Sequence, residues 1–146
     1  KGFAKAFETS PLAFFAVDDW ALIHDFDLTP WAEMLMQRKD IGVVNFGPPY
    51  PNVKGTVEIL SGNYQGWGLR LEKINLVCGL RPSLYHRRFI DAYGWFTENV
   101  TALECERLHN ENFCALEGPD AVLALPHPWE HLGLDSTVEI DPMSSM

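Results

Sequence analysis

Apolar residues in this chain come in short runs separated by polar and Gly/Pro-rich stretches. Leu12 to Val17 reads LAFFAV, six apolar residues in succession, which predicts a strand covered on both faces, as in the middle of an α/β sheet. The run stops at Asp18-Asp19-Trp20, and Ile41 to Phe46 reads as a second apolar strand. Lys54 to Leu60 alternates as a half-exposed strand does, with a turn at Ser61-Gly62-Asn63. Gly66 to Glu72, Ile74 to Cys78 and Ala121 to Leu125 read as further short strands. Helical spacing predicts a short helix over Lys1 to Glu8, with Phe3 and Phe7 on one face, ended by Ser10-Pro11. Thr29-Pro30 supplies an N-cap and a first-turn proline for a helix through Arg38. Ser83 is expected to cap a helix that runs to Tyr93 and stops at Gly94. The last helix spans Thr101 to about Phe113, and Gly47 to Pro51 is loop chemistry. This succession predicts a mixed α/β fold rather than a bundle or a sandwich.

Composition narrows the class. A chain of 146 residues, 47% hydrophobic, has the size and apolar content of one domain with one core. No apolar run approaches the roughly 18 residues that span a bilayer, and the start shows no leader pattern, so a soluble, cytoplasmic setting is expected. With 20 Asp and Glu against 11 Lys and Arg, a net charge of −9 leaves no broad cationic face for nucleic acid. Three cysteines (Cys78, Cys105, Cys114), with no C-x-x-C spacing, indicate neither a disulfide framework nor a zinc ribbon and read as buried free thiols. The first residue is Lys1, and the chain reads as a piece of something longer.

Five groups of residues are candidates for chemistry. Asp18-Asp19 follows directly on LAFFAV, and ligands in open α/β sheets bind beyond the carboxyl ends of strands. Adjacent carboxylates repel, and a hard divalent ion, Mg²⁺ or Mn²⁺, relieves that repulsion. The alternative is that one Asp caps a turn while the other is solvated. Asp25-Phe26-Asp27 spells D-x-D but follows no buried strand, and reads as loop and capping acids. His127 and His131 lie in a loop after the Ala121 to Leu125 strand; they can offer a neutral imidazole to a metal or belong to a plain surface loop. Glu104 completes a Thr101-x-x-Glu capping box, and a carboxylate there can also serve as a general base, with Glu106 two residues on. Arg81, Arg87 and Arg88, with Lys73 and His86, form the basic cluster of an acidic chain. They suit a diphosphate or acidic substrate, or a solvated helix face.

Taken in order, the apolar strand ending in FFAVDDW, the helix and strand, the Gly/Pro loop, the CGLRPSLYHRRFIDAYG segment, the acidic helix and the His-bearing loop form a pattern. It resembles the second half of a GT-A-type, family-2-like inverting glycosyltransferase. The resemblance implies a GT-A-like partial sheet with flanking helices and short antiparallel strands. It implies that Asp19, with Asp18 beside it, holds Mn²⁺ or Mg²⁺ against the diphosphate of a nucleotide-sugar donor, with His131 completing the metal site. Glu104 then stands where the catalytic base does, with Glu106 as the fallback. Trp20, Arg81, Arg87, Arg88 and His127 fall on the substrate side, and the acceptor is a hydroxyl of a glycan or small molecule. The acidic motif here lacks the spacer of a D-x-D. Such enzymes carry nucleotide-binding βαβ units before this point, so residues 1–135 are expected to be one domain, incomplete at its N-terminus, followed by a polar tail over 136–146. A missing half can come from a longer chain, a protein partner or an oligomer. The rival class is a non-catalytic binding or assembly module. Five Trp, nine Phe, four Tyr and ten Pro suit a domain that buries aromatic surface against a partner, with Trp67 and Trp95 as its candidate anchors.

Overall fold

Eight strands and three helices are found among the residues described by the computed structural model, which are 5–16, 20–22, 25, 27–48, 55–58, 67–72, 81–94, 99–125 and 128–131, with the backbone alone at 57, 58, 67, 69 and 131. In chain order they are β1 (Leu12–Phe15), β2 (Trp20–Leu22), α1 (Thr29–Gln37), β3 (Ile41–Asn45), β4 (Gly55–Glu58) and β5 (Trp67–Leu71). There follow β6 (Ser83–His86), α2 (Arg87–Tyr93), α3 (Ala102–Ala115), β7 (Asp120–Leu125) and β8 (Trp129–His131). The fold is mixed α/β. Six strands form one sheet in the order β1-β6-β3-β7-β5-β4, and β2 pairs with β8 in a separate ribbon. Only β3 and β7 run parallel; the other pairs are antiparallel.

Each face of the sheet carries its own core. On one face Trp31, Met34 and Leu35 of α1 close over Ile41, Val44, Leu84, Val122 and Ala124. On the other, Phe89, Ile90 and Tyr93 of α2 and Phe113 of α3 close over Ala13, Val43, Tyr85 and Leu123. The split follows from the period of two in a strand: Leu84 and Tyr85 are sequence neighbours and belong to opposite cores. β3 is buried along its whole length.

Several local expectations are met at the residue that carries them. α2 stops at Gly94, whose φ of 91° is a glycine conformation and whose N–H reaches Ile90 O at 2.7 Å. Thr101 caps α3, its Oγ1 accepting from Glu104 N at 3.1 Å. Asp27 proves to be a loop acid at the approach to α1, its Oδ1 accepting from Thr29 N at 2.9 Å. That hydrogen bond holds the Asp27 carboxyl below its ordinary range. The N-cap position of α1 is Leu28, with no side-chain cap, and Thr29 is the first helical residue instead of the expected cap.

Other expectations are corrected. Leu12 to Phe15 of the LAFFAV run is covered on both faces, with Leu12 and Phe14 on one core and Ala13 and Phe15 on the other, while Ala16 is exposed. Yet β1 lies at the end of the strand order, beside β6 alone among the described residues. An apolar run reports that two faces are covered and says nothing of how many strands pair alongside. Ser83 does not cap a helix. Ser83 to His86 is a strand inserted between β1 and β3, and α2 begins only at Arg87, where His86 Nδ1 accepts from Arg88 N at 3.0 Å. Cys105 is buried as expected, but Cys114 is exposed. The ribbon strands β2 and β8, three residues each, lack any strand-length pattern in the sequence. The strand expected over Ile74 to Cys78, the turn at Ser61-Gly62-Asn63, Lys73 and Trp95 lie outside the described residues, as does the side chain of Trp67. Among the described residues, no helix is long and apolar enough to cross a membrane.

Candidate functional site at one end of the sheet

Strand direction gathers the site. β1, β3, β7 and β4 run one way and β6 and β5 the other, so the carboxyl ends of the first group meet the starts of the second at one end of the sheet. The segments following β1, β3 and β7 and the Arg81-Pro82 step into β6 therefore share one rim. Both carboxyl ends of the parallel pair, β3 and β7, lie at this rim, and in open parallel α/β sheets ligands bind at that end.

The β2–β8 ribbon is attached at this rim. Its register pairs Trp20 with His131, Ala21 with Glu130 and Leu22 with Trp129. Trp129 N donates to Phe46 O at 3.4 Å, just past β3, and the Trp129 ring lies 6.2 Å from that of Phe14 on β1. Phe46 N in turn donates to Pro82 O at 2.9 Å, tying the exit of β3 to the entry of β6. Trp20, bonded to Asp19, is thus brought against His131 from the far end of the chain. Asp18, Asp19 and His127 lie outside the described residues, and His131 is described by its backbone.

Arg81 sits within the rim, 4% exposed, and donates through Nη2 to Pro48 O. Its guanidinium carbon lies 5.3 Å from the centroid of the Trp20 ring. Two further buried polar groups brace the same corner. Asn45 Oδ1 accepts from Gly47 N at 3.0 Å, and Ser83 Oγ donates to Arg81 O at 3.1 Å. In the sequence, the signal for Asn45, Gly47 and Pro48 is a Gly-Pro-Pro step after a buried strand, which reads only as a loop.

The basic cluster expected from the sequence is divided by the fold. β6 separates Arg81 from Arg87 and Arg88 by four strand residues, about 13 Å of extended chain. Arg88 Nη1 donates to Ile41 O at 2.5 Å and Arg38 O at 3.3 Å, and Arg87 Nη1 donates to Phe7 O at 3.3 Å. These two arginines hold main chain at the opposite end of the sheet. A solvated helix face fits Arg87, which is half exposed and pairs with Asp91 at 3.7 Å.

Glu104 and Glu106 stand in the first turns of α3, whose last turn leads into the start of β7. At 14 residues the helix is about 21 Å long, so these carboxylates are carried well away from that start. The Glu104 carboxylate is gripped by Arg107, Nε to Oε1 at 2.8 Å and Nη2 to Oε2 at 2.5 Å, and this holds its pKa below the ordinary range. Among the described residues no three His, Cys, Asp or Glu side chains converge as a metal site. The chain matches no protein-family model, no curated protein and no solved structure.

Proposed function

We propose that this chain carries the metal- and acceptor-binding part of an inverting glycosyltransferase that uses a nucleotide-sugar donor. The observation that supports it best is the β2–β8 register, which sets His131 opposite Trp20, the residue bonded to the paired acids Asp18-Asp19. Two carboxylates and an imidazole from opposite ends of the sequence are a donor set suited to Mn²⁺ or Mg²⁺. When bound, such an ion offsets the charge that develops on the leaving diphosphate. The rim holds the carboxyl ends of the parallel pair β3 and β7, the end at which parallel α/β sheets bind ligands.

In the proposed reaction a carboxylate, Glu104 or Glu106, takes the proton of the acceptor hydroxyl. The acceptor oxygen forms the new bond to the anomeric carbon as the bond from that carbon to the donor diphosphate breaks, and the nucleoside diphosphate leaves with the electron pair. One observation favours the alternative, a non-catalytic binding or assembly module. The Glu104 carboxylate is engaged by Arg107, and Leu103 beside it is 76% exposed, with Val100 exposed one turn before. An ion-paired acid next to apolar surface suits protein contact as well as acceptor contact.

Calorimetry with MnCl₂, alone and with a panel of sugar nucleotides, separates the two. The transferase reading expects uptake of Mn²⁺ that is lost in Asp19→Asn and kept in Asp27→Asn, because the Asp27 carboxyl is engaged by the Thr29 N–H at the approach to α1. Absence of binding by both metal and nucleotide would sink it and leave the binding module.

A further inference from the structure

The ribbon that adjoins the acids needs an anchor. A two-stranded sheet of three residues a strand is marginal by itself. On the β8 side, Trp129 provides one through its N–H to Phe46 O and its ring beside Phe14. On the β2 side the corresponding contact is Trp20 against the guanidinium of Arg81.

Arg81 is an unusual choice for that place. Burying a cation costs several kcal/mol, and an apolar side chain of similar size fills such a corner without that cost. What a guanidinium adds is direction: it donates to the Pro48 carbonyl while its plane presents a cation to the aromatic face. Gly47 makes room for the arrangement. A Cβ there would lie 2.9 Å from Arg81 Nη2, 3.0 Å from Arg81 Cζ and 3.0 Å from Trp20 Cζ3, so any side chain at 47 must displace both partners.

We propose that Gly47, Pro48 and Arg81 form a clamp on Trp20 that fixes β2 to the sheet rim and on which uptake of Mn²⁺ by the chain depends. Arg81 is then a positioning residue rather than a ligand of the diphosphate. The clamp is a feature of the fold in its own right, and its effect on metal binding rests on the function proposed above.

Two measurements on the full chain test it. Amide hydrogen exchange reads the clamp directly. In Arg81→Met the amides of Trp20, Ala21 and Leu22 are expected to exchange about tenfold faster, while those of Val43, Val44 and Asn45 in the buried β3 stay unchanged. MnCl₂ calorimetry reads the consequence, an affinity about tenfold weaker in Arg81→Met. Arg81→Lys should recover only part of it, since an ammonium can face the ring but lacks the planar fork that donates to Pro48 at the same time. Gly47→Ala, which leaves Arg81 in place and crowds it, is expected to move both readings the same way by a smaller factor, and serves if Arg81→Met does not fold. Unchanged exchange on β2 in both variants overturns the clamp, whatever the metal does. Unchanged Mn²⁺ affinity with faster β2 exchange overturns the positioning role alone. A wild-type chain that takes up no Mn²⁺ overturns the proposed function, and the exchange measurement still decides the clamp.

Discussion

Arg107 reaches back one turn along α3 and holds both carboxylate oxygens of Glu104, Nε to Oε1 at 2.8 Å and Nη2 to Oε2 at 2.5 Å. A carboxylate so held stays ionised at lower pH and is a weaker base. If Glu104 is the base of the transfer reaction, the acid limb of its pH–rate profile lies low. Arg107→Ala should then raise the Glu104 pKa and move that limb to higher pH. An unmoved limb in Arg107→Ala assigns the base role to Glu106, and Glu104→Gln should then leave the rate nearly intact.

His109 is 2% exposed, with its ring 6.0 Å from that of Phe89, and desolvation pushes its pKa down to about 4. Because the unfolded chain binds the proton more readily, the neutral form contributes stability that is complete above about pH 6.5. That contribution is lost as pH falls toward 4, and it amounts to about 3 kcal/mol for a shift of this size. Urea unfolding between pH 4 and 7 should show the decline, and His109→Phe should flatten it.

Asp40 joins two arginines, Arg38 just past α1 at 3.0 Å and Arg70 on β5 at 2.8 Å, while Arg70 also reaches Asp120 at 2.8 Å. The hydrogen bond from Arg38, assisted by Arg70, holds the Asp40 carboxyl well below the usual carboxylate range. The stability this supplies is present above the ordinary Asp pKa and disappears as pH falls below it. Arg70→Met should cost about 1 kcal/mol at low ionic strength and less in 1 M salt, because the pairs are partly exposed and screened. Denaturant midpoints at two salt concentrations measure the difference.

Tyr93 joins two kinds of contact in one side chain. Its ring lies 5.2 Å from Phe113 and its hydroxyl donates to Pro119 O at 2.8 Å, at the approach to β7. Tyr93→Phe removes the hydrogen bond alone and should cost about 1 kcal/mol. Phe113→Ala empties a fully buried site between α2 and α3 and should cost about 3–5 kcal/mol. Thermal unfolding of the two variants should separate by several degrees. Equal losses would mean that the Tyr93 hydroxyl contributes as much as the buried Phe113 ring.

The features readable from the chain were those whose physics closes within a few residues. Thr101 and Glu104 announce the start of α3, Gly94 the end of α2, Asp27 the approach to α1, and IGVVN a strand buried on both sides, because a cap, a stop or a run of apolar side chains needs no distant partner. Pairing and direction are different in kind. Ser83 to His86 is a strand because β1 and β3 flank it, and its local pattern served a helix start equally well. The same insertion sends Arg81 to one end of the sheet and Arg87 and Arg88 to the other, dividing a cluster that is compact only along the chain. Neither the place of β1 at the end of the strand order nor the meeting of Trp20 with His131 has a local signal. Each depends on backbone hydrogen bonds to segments far away in sequence, and those partners are chosen by the tertiary fold.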